Sequence, residues 1–459
     1  MSRGYNEARP QGPGAAVRSV APDGGASAAA RFAPERFVLP NGLVVLHQPN
    51  PTSPAISISL RVAAGACLET PETTGLANFC GGMLKRGTER RSKQEIGEIL
   101  DFTGSHLGSS AGRHTAGVGA KARSADFEQM MELVAECVLT PSFPTAEVER
   151  MRGNLLTALR EDEDDTRQVA MDGLRQLVYE PDHPYSWRLI GTEETIARHH
   201  RDDLAAFHAR HFRAHASALV VVGAVDLDQV MMAAERYFSS WPTGADEVSG
   251  QTSGLLATLP EIPDAGPPPS TVREVSTMPA KAQADIALGH PGLRRADADY
   301  YAVAVMNMIL GRFAMGGRLG HSVREEQGMA YYTFSTFDAS FGPGPFLVRA
   351  GVHPDNVDAA IDSIVVELQR ICTEAVSEKE LDDATSALIR SLPRALETNE
   401  GLATTLHTIE QYDLGLDYLE KYPRLIGAIT VDDVLAAARD HIHLGRFGVS
   451  IAGPYSESG

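Results

Sequence analysis

Four groups of residues in this chain are of types that can do chemistry at their spacing. Gly108-Ser109-Ser110-Ala111-Gly112 fits the G-x-S-x-G pattern of serine hydrolases. That pattern works only on a sharp strand-to-helix elbow, and here it lies between two strand-like segments, so a nucleophilic serine is not expected. His199, His200, His208 and His211 cluster on one stretch, and His208 with His211 can share a helix face as metal ligands. The favoured reading is surface histidines at the end of a domain. The run Glu161-Asp162-Glu163-Asp164-Asp165 has donors for a cation. Charge runs are more often solvated faces, or lean towards a basic peptide or partner. Cys67, Cys80, Cys137 and Cys372 form no C-x-x-C pair and are too sparse for a disulfide framework, so buried thiols in a reducing, cytoplasmic setting are expected.

The chain that must position such groups has 459 residues, more than one hydrophobic core usually supports, so at least two domains are expected. Its 43% apolar and 22% charged residues are ordinary for a globular protein, and no stretch approaches the roughly 18 consecutive apolar residues of a membrane span. A formal charge of −19, from 41 basic and 60 acidic residues, repels phosphate. Nucleic acid and anionic membranes are therefore excluded as main partners, and a basic peptide is welcome. Residues 1–33 are rich in Ala, Gly and Pro without the apolar core of a secretory signal. They read as a disordered tail, with a transit peptide as the alternative.

Periodicity predicts α+β domains. A hairpin pairs Phe37-Val38-Leu39 with Leu43-Val44-Val45-Leu46 around Pro40-Asn41-Gly42, and Ile56 to Val62 alternates strictly, as in a sheet with one covered and one wet face. Helical spacing follows at Phe127–Val138, boxed by Asp126 and Gln129, and at Val148–Leu159. A buried-type strand, Leu219–Val222, and a helix from Asp226 to Phe238 close the first domain, 34–243. Residues 244–273 are rich in Gly, Pro, Ser and Thr and read as a linker to a second domain, 274–456. That second half echoes the first: Leu189-Ile190-Gly191 with Asp202-Asp203 is matched by Leu425-Ile426-Gly427 with Asp432-Asp433. The helix starting near Thr145 is matched by one opening at a Ser377/Glu380 capping box, which Pro393 should kink or end.

Residues 62–88, VAAGACLETPETTGLANFCGGMLKRGT, resemble the zinc-motif region of the pitrilysin/insulinase-type (M16) metallopeptidases. The family's active members carry H-x-x-E-H on that helix, two imidazoles one turn apart and a glutamate that activates the zinc-bound water. Those positions fall on Asn78, Gly81 and Gly82, and the family's third ligand, a glutamate on a later helix, falls on Ala158. Neither glycine nor asparagine offers the nitrogen zinc prefers, and Gly81 has no carboxylate to take a proton. The expectation is a motif kept as scaffold, with no cofactor in this chain. Two adjacent glycines also loosen that helix by about 1 kcal/mol each relative to alanine.

The resemblance extends over residues 36–455, through HPYSWRLIGTEETIARHHRDDLAAFHARHFRAHASALVVVGAVD and MILGRFAMGGRLGHSVREEQGMAYY. It implies two homologous α+β domains of the LuxS/MPP-like metallohydrolase type, each an antiparallel-rich sheet with helices on one face. In the family's two-subunit members a zinc-free chain pairs with an active one around a shared chamber. The resemblance therefore implies a heterodimer in which a partner bearing H-x-x-E-H supplies the zinc. It also implies that Arg324 and Tyr331, in a pattern like R-E-x-x-G-x-A-Y, hold the substrate peptide. The glycine-bearing loop Gly311–Gly317 stands where the family has a glycine-rich segment. Edge-strand capture of a peptide is expected near Gly112 to Ala120. The alternative is a peptide-binding or assembly scaffold without a peptidase partner.

Overall fold

The computed structural model describes residues 32–243, 259–312 and 317–456. All but the last two residues of the expected tail, much of the expected linker, and the middle of the loop Gly311–Gly317 lie outside these. The first sheet contains β1 (Glu35–Val38), β2 (Val44–Pro49), β3 (Ala55–Val62), β4 (His106–Ala111), β5 (Ala116–Arg123) and β6 (Ser217–Gly223), in the spatial order β1-β2-β6-β3-β5-β4. Only β2 and β6 run parallel; every other neighbour is antiparallel. The Pro40-Asn41-Gly42 turn forms as expected, with Gly42 at φ +89° and the Asn41 amide donating to Phe238 O at 2.7 Å. Ile56, Ile58, Leu60 and Val62 all point into one core, against the helices Phe127–Leu139 and Thr145–Glu163.

The second sheet repeats this plan with five strands, lacking only a counterpart of β1. β7 (Val272–Thr277), β8 (Ala284–Pro291), β9 (Ala330–Phe337), β10 (Pro345–Val352) and β11 (Gly448–Gly453) take the order β7-β11-β8-β10-β9, with β7 and β11 parallel and the rest antiparallel. The capping boxes behind the sequence echo also form. Asp203 accepts from His200 N at 2.7 Å, and Asp433 from Thr430 N at 2.9 Å. Ser377 and Glu380 close the box that starts the helix Glu378–Ala395, which ends two residues after Pro393. The expected box at Asp126 does not form: its side chain makes no capping bond and is held by Arg123 at 2.8 Å instead.

The wet face expected from the alternation of β3 is covered, and this corrects the one-sided sheet. The helix Asn399–Gln411, from the second half, crosses the outer face of the first sheet. Its Ala403 and Leu406 bury Val44, Leu46, Val220 and Val222. The helix Thr166–Val178, from the first half, crosses the second sheet, where Ala170, Leu174 and Val178 bury Ala287, Leu347 and Ala452. Short polar bonds register the exchange. His407 Nε2 lies 2.9 Å from Ser59 Oγ, Asn399 Nδ2 donates to Ala55 O at 2.7 Å, and Arg36 pairs with both Glu410 oxygens at 2.8 and 2.9 Å. The alternation misled because Ser57, Ser59 and Arg61 are polar yet face another part of the same chain.

The crossing helix Thr166–Val178 packs so closely that β11 must start with glycine. A Cβ on Gly448 would stand 2.6 Å from Val178 Cγ1 and 3.0 Å from Leu174 Cδ1. Gly448→Val is expected to lower unfolding stability by about 1–3 kcal/mol, the usual cost of overpacking. It should also speed proteolysis within residues 166–178; thermal unfolding unchanged from wild type would refute this account.

Candidate functional site

The family's metal positions are built on the helix Leu76–Met83, held at its start by a carboxylate rather than a metal. Gly75 caps it in the left-handed conformation, φ +87°, and Glu69 accepts from Gly75 N at 3.1 Å and from Ala77 N at 2.6 Å. Glu69 is buried, and that burial pushes its carboxyl up to about 7 against the pull of the two amides. Phe79, Cys80 and Met83 are fully buried on the core side.

The space that zinc and its ligands would need is filled. A Cβ on Gly81 would meet the backbone of β4, at 2.7 Å from both Ala111 N and Ser110 C. A Cβ on Gly82 would stand 2.3 Å from Met151 Cε, the thioether of the helix that also carries Ala158. Asn78 and Ala158 are both part-buried, and neither they nor the two glycines carry a carboxylate, imidazole or thiolate. Among the described residues no group of three His, Cys, Asp or Glu side chains is arranged to hold a metal. The residues present at the family's metal positions do not fit zinc, both in donor set and in room.

The other chemistry-bearing groups of the sequence have structural work. Ser110 lies within the strand β4, not on an elbow. His199 is buried, with Nε2 3.2 Å from Thr74 O, and His208 Nε2 lies 2.7 Å from Val138 O while its ring stacks on Phe212. These two are packing histidines, not the surface ones expected. In the acidic run, Asp162 pairs with Arg188 at 2.8 Å, Asp164 with Lys281 at 2.7 Å, and Asp165 caps the crossing helix at Arg167 N. All four cysteines are free and buried.

Arg324 and Tyr331 sit at one end of β9, an edge strand of the second sheet. Arg324 is half-buried in the π-helical turn Gly320–Glu326, and Gly328, at φ +64°, folds the chain back so that its N donates to Arg324 O at 3.1 Å. The β9/β10 register then slips: Gly351 faces Tyr332 while Val352 faces Ala330, which leaves Tyr331 as the extra residue of a bulge. A bulge re-aims a side chain out of the pleat, and the Tyr331 side chain is 64% exposed. In the first sheet the corresponding edge is β4. The segment near Gly112 to Ala120, expected to capture a peptide, instead forms β5, which is paired on both sides by β3 and β4. Alternation could not tell an edge strand from its neighbour.

The loops that follow β4 and β9 clasp one another. Tyr185 Oη lies 3.0 Å from His114 Nε2 and 2.8 Å from Ser340 Oγ, and accepts from Gly342 N at 2.9 Å. Burial drives His114 down to about 4, so the clasp is neutral. The sequence offered no sign of it, because its members come from three separate segments.

This duplicated α+β shell with a filled metal position belongs to the M16 peptidase family. Residues 44–191 match the family model described as insulinase (peptidase family M16), and residues 200–388 the one described as peptidase M16 inactive domain. A protein of Mycobacterium tuberculosis named as an uncharacterized zinc protease is 25% identical over 441 residues, 94% of this chain and 95% of that one. The mitochondrial-processing peptidase subunit beta of Neurospora crassa is 25% identical over 433 residues, 90% of this chain and 87% of that one. The crystal structure titled peptidase M16 inactive domain, from Pseudomonas fluorescens, has the same fold, with TM-score 0.84 at 24% identity over 92% of this chain and 98% of that one.

Gly81 is the stricter of the two motif glycines, because backbone faces it while only the end of a flexible methionine faces Gly82. Gly81→Ala should cost about 1–3 kcal/mol by overpacking and Gly82→Ala less. Restoring the family's residues together, Asn78→His, Gly81→Glu, Gly82→His and Ala158→Glu, should not create a zinc site. A folded fourfold variant that retains one zinc per chain after dialysis would show that the room exists after all.

Proposed function

We propose that this chain is the non-catalytic, peptide-binding subunit of a two-chain zinc peptidase. The observation that carries the reading is the contrast between its two halves. The metal position of the first is packed shut, while the second presents Tyr331 on a bulge at an open sheet edge beside Arg324. A partner M16 chain bearing H-x-x-E-H supplies the zinc and the glutamate that activates water; this chain binds and orients. The relative named as a subunit of a processing peptidase supports a paired assembly.

The work of this chain is positional. A guanidinium grips a peptide carbonyl or carboxylate through its two-pronged fork, and a phenol donates one further hydrogen bond. Fixing an extended peptide at two points beside a reacting centre removes orientational freedom that the reaction would otherwise have to lose. The sheet edge offers backbone donors and acceptors for the rest of the peptide, as in strand addition. No helix among the described residues is long and apolar enough to cross a membrane. The proposed setting is the cytoplasm, which the sparse cysteines without a C-x-x-C pair favour.

The test is purification from the native host with any co-purifying chain identified and metal counted. A second chain of similar size with H-x-x-E-H and one zinc per pair is expected, and a zinc-free monomer or homodimer points instead to a binding or assembly scaffold. In the reconstituted pair, Arg324→Ala should lower kcat/KM for peptide hydrolysis by about ten- to a hundredfold and Tyr331→Phe by about three- to tenfold. Zinc content should not change. Full activity in both variants would remove these residues from substrate binding.

A further inference from the structure

The outer face of the first sheet carries a feature that packing does not require. The register places Arg61 across from Gly117 and Ser59 across from Gly119, and beyond them Ser110 and Gly108 on the edge strand β4. This part of the face is therefore a floor of glycine and serine, and together with Arg61 it lines a cavity of about 370 Å³. The crossing helix Asn399–Gln411 packs chiefly on β6 and β3 and reaches β5 through the Lys121–Glu400 ion pair at 2.6 Å, leaving Ser110 exposed and Gly108, Gly117 and Gly119 part-exposed.

Packing requires one glycine of the floor, Gly117, whose Cβ would stand 2.2 Å from Leu60 O, but not the other three. Gly108, Gly112 and Gly119 have no left-handed φ, and a Cβ built on any of them would meet nothing closer than 3.7 Å. Side chains would fit, yet none is present, and in a strand interior glycine weakens the strand. A bare floor leaves room for the backbone of another chain.

Arg61 is the second observation. It is part-buried, and no hydrogen bond or ion pair joins it to any described residue. The groups around it are Tyr412 and the fully buried His407, whose Nε2 is committed to Ser59 and which Arg61 and burial together hold neutral. No carboxylate offsets the guanidinium, although 60 acidic residues are available elsewhere in the chain. A part-buried guanidinium is more often paired than not, and here its nitrogens open to the cavity instead. An unpaired guanidinium lining an open, polar cavity suits an anion of planar, two-oxygen shape.

We propose that Arg61 and the glycine-paved face of β4 and β5 bind a carboxylate of the substrate peptide. The inference rests on the peptide-binding reading above and adds to it a substrate class: peptides with a free carboxyl group seated on the first domain, far in sequence from Arg324 and Tyr331. The carboxylate can be an acidic side chain or the peptide's own C-terminus, and both would dock through the same fork. The bare floor lets the peptide backbone approach the sheet, and β4 gives it an edge to follow.

The experiment uses the full chain alone and four fluorescein-labelled twelve-residue Ala/Ser peptides. These have one central Glu or Gln, each with a C-terminal acid or amide, and anisotropy is measured at low salt. The Glu or free-acid forms are expected to bind about ten- to a hundredfold tighter than the Gln amide, and whichever substitution abolishes the difference names the source of the carboxylate. Arg61→Met should erase the preference, Arg61→Lys should keep part of it, and Arg324→Ala should leave it in place. Both Arg61 variants are checked by thermal unfolding, and the lysine variant keeps the test open if the methionine variant does not fold. Binding that ignores the carboxyl group, or a preference that survives Arg61→Met, overturns this inference alone. Failure of all four peptides to bind overturns the peptide-binding reading with it.

Discussion

Neither sheet of this protein can bury its second face with its own half of the chain, and the rest of the structure follows from that. Val44, Leu46, Val220 and Val222 need Leu406 and its neighbours from the second half; Ala287, Leu347 and Ala452 need Leu174 and its neighbours from the first. Each large aliphatic side chain so covered contributes about 1.5–3 kcal/mol. The two halves are therefore interdependent rather than a pair of independently folded domains on a tether. Because the crossing helices tie each sheet to the other half, and the Tyr185 clasp joins the loops that follow β4 and β9, the two edge strands are held in fixed relation. A peptide that touched both would meet a preset spacing.

That rigidity explains how the helix is held without the family's metal ligands. Coordination fixes a helix by bonds that glycine and asparagine cannot make. Here the same helix is fixed by Glu69 at its N-terminus, by Phe79, Cys80 and Met83 in the core, and by the close approach of β4 over Gly81. The loosening expected from two adjacent glycines is offset by contacts that only glycine permits. Closing the metal position and keeping β4 in place are thus one packing solution, and β4 is the strand whose free edge and outer face remain open to solvent.

Much of this was legible in the sequence because the signals were local. The hairpin at Asn41-Gly42, the box at Ser377, the apolar stripes of the long helices and the repeated Asp-Asp helix starts each depend on a few adjacent residues, and each formed. Apart from the Asp126 box, lost to the neighbouring Arg123, what failed depended on residues distant in the chain. The outer face of β3 looked solvated because Ser57, Ser59 and Arg61 are polar, whereas the helix that meets it lies more than 300 residues away. His199 and His208 looked exposed because their acceptors, Thr74 O and Val138 O, are backbone atoms of other elements. The absent donors of the metal site could be read directly from Asn78, Gly81, Gly82 and Ala158. That the site is also filled, by Met151 and by a strand backbone, could not.

The charge of the molecule and the charge on the outer face of its first sheet act at different ranges. A net charge of −19 sets a field that steers cationic peptides towards the surface, but at physiological salt it is screened beyond about 8 Å. Among the residues lining the β4 and β5 floor is Arg61, which no described carboxylate offsets. A peptide drawn in by its basic residues would then be oriented by its carboxylate, so attraction and alignment would be set by separate groups. Under the proposed function, long-range charge would govern arrival and a single part-buried fork would set direction.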